Sequence, residues 1–326
     1  MFLGQCIESA LDQTYENIEI VVLDNCSDDN SLEVASRYIS RGVRVCKNPQ
    51  NIGNKNYNVL TQLTDGKYMI LLAADDLIKP SFIEKGVDIL EKNSNVGYLH
   101  CERDYIDAEG NITELDPFYD CSFIAPGESV LPIYMLTDVG QPAQTLIRRS
   151  TFNQVFGYQS EFDHTNADKD LWFRLSVVSD YAYIREKLAL IRIHKRRETT
   201  LGFKSFYHPL AIYLMVNNQA RWGKLKGYQN VCDRLPAAYR KLSMECLQIA
   251  FICMQDSEVK LAGQYLIFAR MICEDIVHED KYKELMKSLH GSGPVYGEIN
   301  RIEADDMFVR RKRSYRPPEG YQELEV

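Results

Sequence analysis

At 326 residues, the chain is long enough for one large α/β domain, or for a domain of ordinary size with a smaller companion. Hydrophobic residues at 45% and charged residues at 26% exclude wholesale disorder, and a net charge of -8 argues against a generally basic nucleic-acid-binding surface. The most apolar runs, Tyr68–Ala74 and Leu247–Met254, are too short to cross a bilayer as a helix. The first residues lack the basic and long apolar regions of a secretion signal. The nine cysteines are dispersed, without a C-x-x-C pair or zinc-ligand spacing, so they read as reduced thiols of an unsecreted chain.

The apolar spacing of Cys6, Ile7, Ala10 and Leu11 predicts a helix, and the β-branched run Ile18–Leu23 predicts a strand that stops at Asp24. Asn25–Asn30 is turn and capping chemistry, followed by a helix over about 31–40. A short strand at Val43–Cys46, a loop through Gly53 and a helix over 54–63 come next. Lys67–Ala73 is a strongly apolar strand ending at Asp75-Asp76, and Pro80 opens a helix reaching Lys92. Strands are expected at 96–101, 143–147, 181–185 and 188–193, with a helix starting near Asp168. From Ser205 onward strand signals vanish, and 236–254 and 257–276 are long helical patterns. The expectation is an α/β fold with a mainly parallel sheet over residues 1–204, a helical appendage over 205–292 and a flexible tail over 293–326.

Four places carry residues suited to chemistry, each with a plainer alternative. In a parallel sheet, ligands bind beyond the carboxyl ends of the strands, where Asp24 and Asp75-Asp76 fall. Asp75-Asp76 can hold a divalent ion through oxygen, or simply form a turn and helix start. Asp168 can act as a general base, or only cap its helix. His194, after a strand, can ligate a metal or donate to phosphate, or be an ordinary satisfied polar side chain. Asp24 can accept hydrogen bonds from a base or ribose, or only from turn amides.

Their order along the chain matches a known pattern. Gln5–Tyr15, Ile20–Asp29, Asn51-Ile52-Gly53, Asp65–Asp76, Arg148–Tyr158, Asp168–Leu175 and Arg192-Ile193-His194 together resemble the ordered motifs of the family 2 glycosyltransferases. The likeness covers about residues 3–200. It includes the Q-T-Y end of the first helix, the V-V-D-D-G-S-x-D loop, the N-x-G loop, the D-x-D-D block, the E-D-x-D-L-W-x-R-L helix and the R-x-H stretch.

The resemblance implies the A-type glycosyltransferase fold with a nucleotide-sugar-binding sheet. It also implies transfer of a sugar from a nucleoside diphosphate donor to an acceptor hydroxyl with inversion. Asp168 would be the base, Asp75 and His194 metal ligands, and Asp24, Asn51 and Asp76 donor contacts, with Mg2+ or Mn2+ as cofactor. A carbohydrate or lipid-linked acceptor, a role in cell-surface polysaccharide or glycolipid synthesis, and a cytoplasmic place at the inner face of the membrane are implied by the same analogy.

Three single-residue departures stand out: Ala73 replaces the first Asp of D-x-D, Ala167 the Glu of E-D, and Cys26 the loop Gly. The sequence begins inside the helix that follows the family's opening apolar strand, the one ending in P-x-Y/F-N, so either its start lies downstream of the true one or the product is truncated. That raises the alternative of a truncated, non-catalytic homologue acting through its helical region, with strands 18–23 and 67–73 facing a gap and prone to aggregate. A phosphoryl or nucleotidyl transferase would need a phosphate-gripping Gly-rich loop, and none is visible. Finally, the cations of Arg310–Arg316 read either as a solvated end or as a weak contact with anionic lipid.

Overall fold

The computed structural model describes residues 2–53, 55–137, 139–159, 166–194, 206–290 and 314–325. The chain divides into two compact units, one of residues 1–134, 138–195 and 311–326, the other of residues 135–137 and 196–310. The division near residue 196 lies close to the expected start of the helical appendage.

The first unit opens with α1 (Leu3–Leu11), whose Cys6 and Ile7 are buried. β1 (Val21–Asp24) follows, then α2 (Ser31–Ser36), β2 (Arg44–Lys47) and α3 (Lys55–Gln62). β1 and β2 pair in parallel as a small sheet of their own. Next come β3 (Tyr68–Met69), β4 (Leu77–Ile78), α4 (Phe82–Lys92), β5 (Val96–Ile106), β6 (Ile112–Thr113), β7 (Phe123–Ala125) and α5 (Gly127–Tyr134). β8 (Thr145–Arg148), α6 (Arg149–Gln154), α7 (Ala167–Val178) and β9 (Asp180–Arg192) complete its main body.

The larger sheet runs β7-β9-β5-β8-β3, with β4 on β9 and β6 on β5. Its centre is the long parallel pair of β5 and β9, whose register slips at three places, each marking a bulge or irregularity. Ten of the eleven residues of β5 are buried, because layers cover both of its faces. Phe82, Leu90, Leu99, Leu146 and Ile184 fill the core beside it.

The α/β class holds, but the sheet is mixed rather than mainly parallel. β5 with β9 and β1 with β2 are parallel, while β3, β4, β6, β7 and β8 all pair antiparallel. Apolar runs bounded by turns mark strands without fixing their direction, and several return strands here are only two to four residues long. The run 67–73 pairs only at Tyr68–Met69, on β8. Leu71 stays buried, but the rest of the run leaves the ladder. Among the described residues, β1 and β3 each have a ladder partner on one side only.

A buried histidine lies at the heart of this sheet. His100 packs against Tyr98, Trp172 and Tyr181. Its Nδ1 lies 2.8 Å from Thr145 Oγ1, and the Thr145 hydroxyl itself donates to the Gln141 carbonyl. Nδ1–H must therefore be the donor, leaving Nε2 to accept from Tyr134 at 3.2 Å. This is a neutral imidazole with both nitrogens satisfied. Burial, then the charge of Arg103, pushes its pKa down to about 3. The unfolded chain takes up that proton near its ordinary value of about 6.5 while the folded chain does not, so stability is present above that pH and falls as pH drops toward 3. Between pH 7.5 and 5 the wild type should lose about 2 kcal/mol more than His100→Gln. Urea midpoints at the two pH values check this, and parallel losses would contradict it.

The second unit is helical among its described residues. It holds α8 (Tyr207–Lys226), α9 (Gln229–Cys232), α10 (Leu235–Gln255), α11 (Val259–Ile272) and α12 (Asp280–Leu289). Pro236 sits in the first turn of α10, where its missing N–H costs no helical bond. α10 and α11 pack together, the buried Ser243 hydroxyl of α10 donating to the Ala269 carbonyl of α11 at 3.0 Å. No helix among the described residues is long and apolar enough to cross a membrane.

Residues 314–325 correct the expectation of a flexible tail as far as 326. Tyr315 bridges to Tyr119, Tyr321 packs on Phe123, and β10 (Gln322–Glu323) pairs with β7. Two aromatic anchors and a strand edge outweigh the polar composition from which disorder was expected. Arg310–Arg313 of the basic cluster lie outside the described residues.

Candidate functional site

β9 and the turn after β3 build the centre of the site. The ladder between β5 and β9 extends to Ile193, whose N–H donates to the Ile106 carbonyl at 2.8 Å, and His194 follows at once. The turn before β4 is closed by Asp76 N–H donating to the Ala73 carbonyl at 3.1 Å. These two chain segments bring Asp75 Oδ2 within 3.0 Å of His194 Nε2. Phe2 packs against the His194 ring, with centroids 5.3 Å apart.

Arg192 locks the arrangement. It is 1% exposed, and its guanidinium donates to the Asp75 carbonyl at 2.9 Å, the Asp107 carbonyl at 2.7 Å and Gln5 Oε1 at 2.8 Å. It also lies 4.3 Å from the centre of the Phe2 ring. One planar, five-donor fork thus ties α1, the Asp75 turn and the end of β5 together. Asp76 takes part in the same clamp. It is buried, and its Oδ1 accepts the Arg192 backbone N–H at 2.9 Å. This contact belongs to the scaffold rather than to a ligand. Nearby, the Cys6 thiol donates to the Ala73 carbonyl, and burial together with the charges of Asp76 and Asp75 pushes its pKa up to about 12. A thiol so protonated is a core group, not a nucleophile.

Asp75 and His194 meet in a hydrogen bond, and a hard divalent ion could be held in place of that shared proton. Two ligands at right angles on one ion, each about 2.1 Å from it, are about 3 Å apart, the separation the pair already has. Both side chains remain partly accessible. Among the described residues no three His, Cys, Asp or Glu side chains gather into a metal-holding cluster. An ion held by this pair would take its other positions from water and substrate phosphate, as Mg2+ commonly does.

The loops after β1 and β2 form a second group. Asp24 is buried, and its carboxylate accepts Ser27 N–H at 3.2 and 3.4 Å, which is turn geometry with loosely held acceptors. Asn51 Oδ1 accepts from Asn25 Nδ2 at 3.0 Å and from Gly53 N–H at 2.9 Å. Asn25 Oδ1 in turn receives Asn48 Nδ2 at 3.0 Å and Ile52 N–H at 3.1 Å. This amide network was not read from the sequence. The succession Asn25, Asn48 and Asn51 was its only trace.

Cys26, between Asp24 and Ser27, has φ 62°, a left-handed conformation that favours glycine. Cys26→Gly should relieve strain of about 1–2 kcal/mol while losing part of it to unfolded-chain entropy. The expected outcome is a net gain of up to about 1 kcal/mol, read from a urea midpoint. A clear loss would mean that the thiol's contact with the Pro49 carbonyl matters more than the backbone strain.

Asp168 opens α7, half-buried, with Oδ1 accepting Lys169 N–H at 2.8 Å. Asp170, two residues on, is engaged differently. It is buried, and its Oδ2 accepts from Arg174 Nε at 2.6 Å. Arg174 also holds the Val155 and Gly157 carbonyls, so this pair fixes the helix against the loop that follows α6.

Comparison with known proteins gives a consistent result. The model of the family described as Glycosyl transferase family 2 matches residues 2–156. An uncharacterized glycosyltransferase of Haemophilus influenzae is 35% identical over 127 residues, which are 38% of this chain and 36% of that protein. The match therefore spans about a third of that relative's length. Among solved structures, S. aureus TarS is similar with a TM-score of 0.58 at 12% identity, over 88% of this chain and 52% of that one. The mannosyltransferase PcManGT from Pyrobaculum calidifontis, in complex with GDP-Man and Mn2+, is similar with a TM-score of 0.53 at 12% identity, over 89% of this chain and 80% of that one. At such identities the likeness to the solved structures is one of fold.

Proposed function

Since the chain belongs to glycosyl transferase family 2 through residues 2–156, we propose that it transfers a sugar from a nucleoside diphosphate sugar to an acceptor hydroxyl, with inversion at the anomeric carbon. The observation that carries this reading is the convergence of Asp75 and His194, 119 residues apart in sequence, at 3.0 Å. The neighbour that holds GDP-Man and Mn2+ supports a donor of this class and a divalent ion.

Asp75 and His194 would hold Mg2+ or Mn2+, which when bound offsets the charge growing on a diphosphate leaving group. Arg192 and Asp76 keep that pair in place by fixing the turn and the end of β9. Asp24, whose acceptors are only loosely used, contacts the nucleoside, and Asn51 shapes the loop beside it. Asp168 accepts the proton of the acceptor hydroxyl as its oxygen bonds to the anomeric carbon and the bond to diphosphate breaks. The acceptor class we favour is a carbohydrate or lipid-linked glycan of cell-surface polysaccharide or glycolipid synthesis, made on the cytoplasmic side.

A panel of nucleotide sugars, read by released nucleoside diphosphate with and without chelator, tests the proposal. We expect one donor to be turned over in an acceptor-dependent, chelator-sensitive way. Turnover indifferent to chelator would remove the metal from the scheme, and no turnover of any donor with any glycan acceptor would contradict it.

A further inference from the structure

α8 has a composition unlike the chain around it. Its 20 residues include Arg221, Lys224 and Lys226 and no Asp or Glu, in a chain of net charge -8. One face is buried, through Ile212, Met215, Val216 and Ala220. The other leaves large apolar side chains in solvent: Tyr207 at 49%, Leu210 at 37%, Leu214 at 49%, Trp222 at 41% and Leu225 at 75%. Scattered exposed apolar residues are ordinary, but these form a stripe.

At about 100° per residue, Tyr207, Leu210, Leu214 and Leu225 fall on one side of the helix, with Trp222 at its border and the exposed Asn218 and Arg221 on the same side between Leu214 and Leu225. Lys224 and Lys226 lie about 100° to either side of Leu225, flanking the stripe. The stripe runs about 27 Å, at ~1.5 Å per residue. Lys226 Nζ sits 5.8 Å from the centre of the Trp222 ring, so the cation stands beside the aromatic border.

We infer that the exposed face of α8 is a docking surface for an anionic lipid bilayer, on which the helix lies flat. The apolar stripe enters the boundary between headgroups and acyl chains, Trp222 settles at headgroup level, and Lys224 and Lys226 extend sideways to lipid phosphates. Charge complementarity decides for this occupant. An acid-free helix with Arg221 within an apolar stripe and lysines on both of its flanks matches a surface of anionic headgroups over acyl chains, the arginine stem lying among the chains and its guanidinium reaching up to phosphate. It would meet an identical copy of itself with like charges opposed. This inference is independent of the reaction proposed above.

The test uses the full chain and vesicles of phosphatidylcholine with and without phosphatidylglycerol. The chain has two tryptophans, and Trp172 is fully buried, so a blue shift of fluorescence on binding reports Trp222. We expect sedimentation with the anionic vesicles, a blue shift, and weakening by salt. Lys224→Gln with Lys226→Gln should weaken binding about tenfold or more, since each basic residue near such a surface contributes several-fold. Leu214→Gln with Leu225→Gln should weaken it similarly, and both pairs are exposed, so the fold should survive. Trp222→Phe should keep binding and lose the blue shift. Equal binding by both double variants, binding that does not need phosphatidylglycerol, or no binding by the wild type would each overturn the inference. A wild-type dimer that Leu214→Gln with Leu225→Gln dissociates would assign the face to a second copy instead.

Discussion

Asp168→Asn is expected to fold like the wild type, bind donor and lose transfer by about 10²–10⁴-fold. The amide keeps the size of the carboxylate and an oxygen that can accept Lys169 N–H, now made at 2.8 Å. What it loses is the ability to take a proton. The neighbouring ion pair of Asp170 with Arg174, which holds α7 to the loop after α6, is untouched. A matched thermal melt and retained donor binding would separate a chemical loss from a structural one. Full activity in a correctly folded variant would refute the role of Asp168 as base.

Arg192→Met should destabilise the first unit by about 3 kcal/mol or more and remove transfer with it. Methionine fills much of the space but donates nothing, so the Asp75 carbonyl, the Asp107 carbonyl and Gln5 Oε1 lose their donor together. Each hydrogen bond lost from a charged donor is worth about 1.5–3 kcal/mol, and less here per bond because Gln5 is exposed and Asp75 and Asp107 are only partly buried, so water can take up part of the loss. Arg192→Lys should fall between, because a single ammonium cannot reproduce the spread of the guanidinium fork. Denaturant midpoints of the three proteins measure this order. A methionine variant as stable as the wild type would show that the clamp is not what holds the Asp75 turn.

Much of the architecture could be read from the chain because its signals are local. The spacing of Cys6, Ile7, Ala10 and Leu11 marked α1, and the helical patterns after Ser205 correspond to helices with no strand among the described residues 206–290. Strand direction and extent were not local. The run from Lys67 to Ala73 looks like a full strand, yet only Tyr68 and Met69 find a ladder partner. Likewise, 181–185 and 188–193 read as two strands because Glu186 and Lys187 interrupt the apolar run. In the structure β9 is continuous there, with Glu186 paired to Lys85 and Lys187 Nζ 2.9 Å from Asp104 Oδ1.

At the site, the pairing of Asp75 with His194 was expected from the order of motifs, and the fold brings the two together. Arg192 was visible only as a letter in a motif. Its function depends on three acceptors from Gln5, Asp75 and Asp107, a convergence that no spacing along the chain encodes. Asp76 illustrates the reverse case: an acidic residue beside a ligand candidate that the backbone of β9 uses for itself.

The central claim is that Asp75 and His194 form the place where a divalent ion and a diphosphate meet. Titration of Mn2+ followed by electron paramagnetic resonance, with and without a nucleoside diphosphate, tests it directly in the wild type and in Asp75→Asn. The account predicts weak Mn2+ binding to the wild type alone, strengthened when the diphosphate is added. In the variant, diphosphate-dependent binding should fall about tenfold or more, because one of the two proposed ligands has lost its charge. Mn2+ binding of equal strength in the two proteins, with the diphosphate present, would contradict the account.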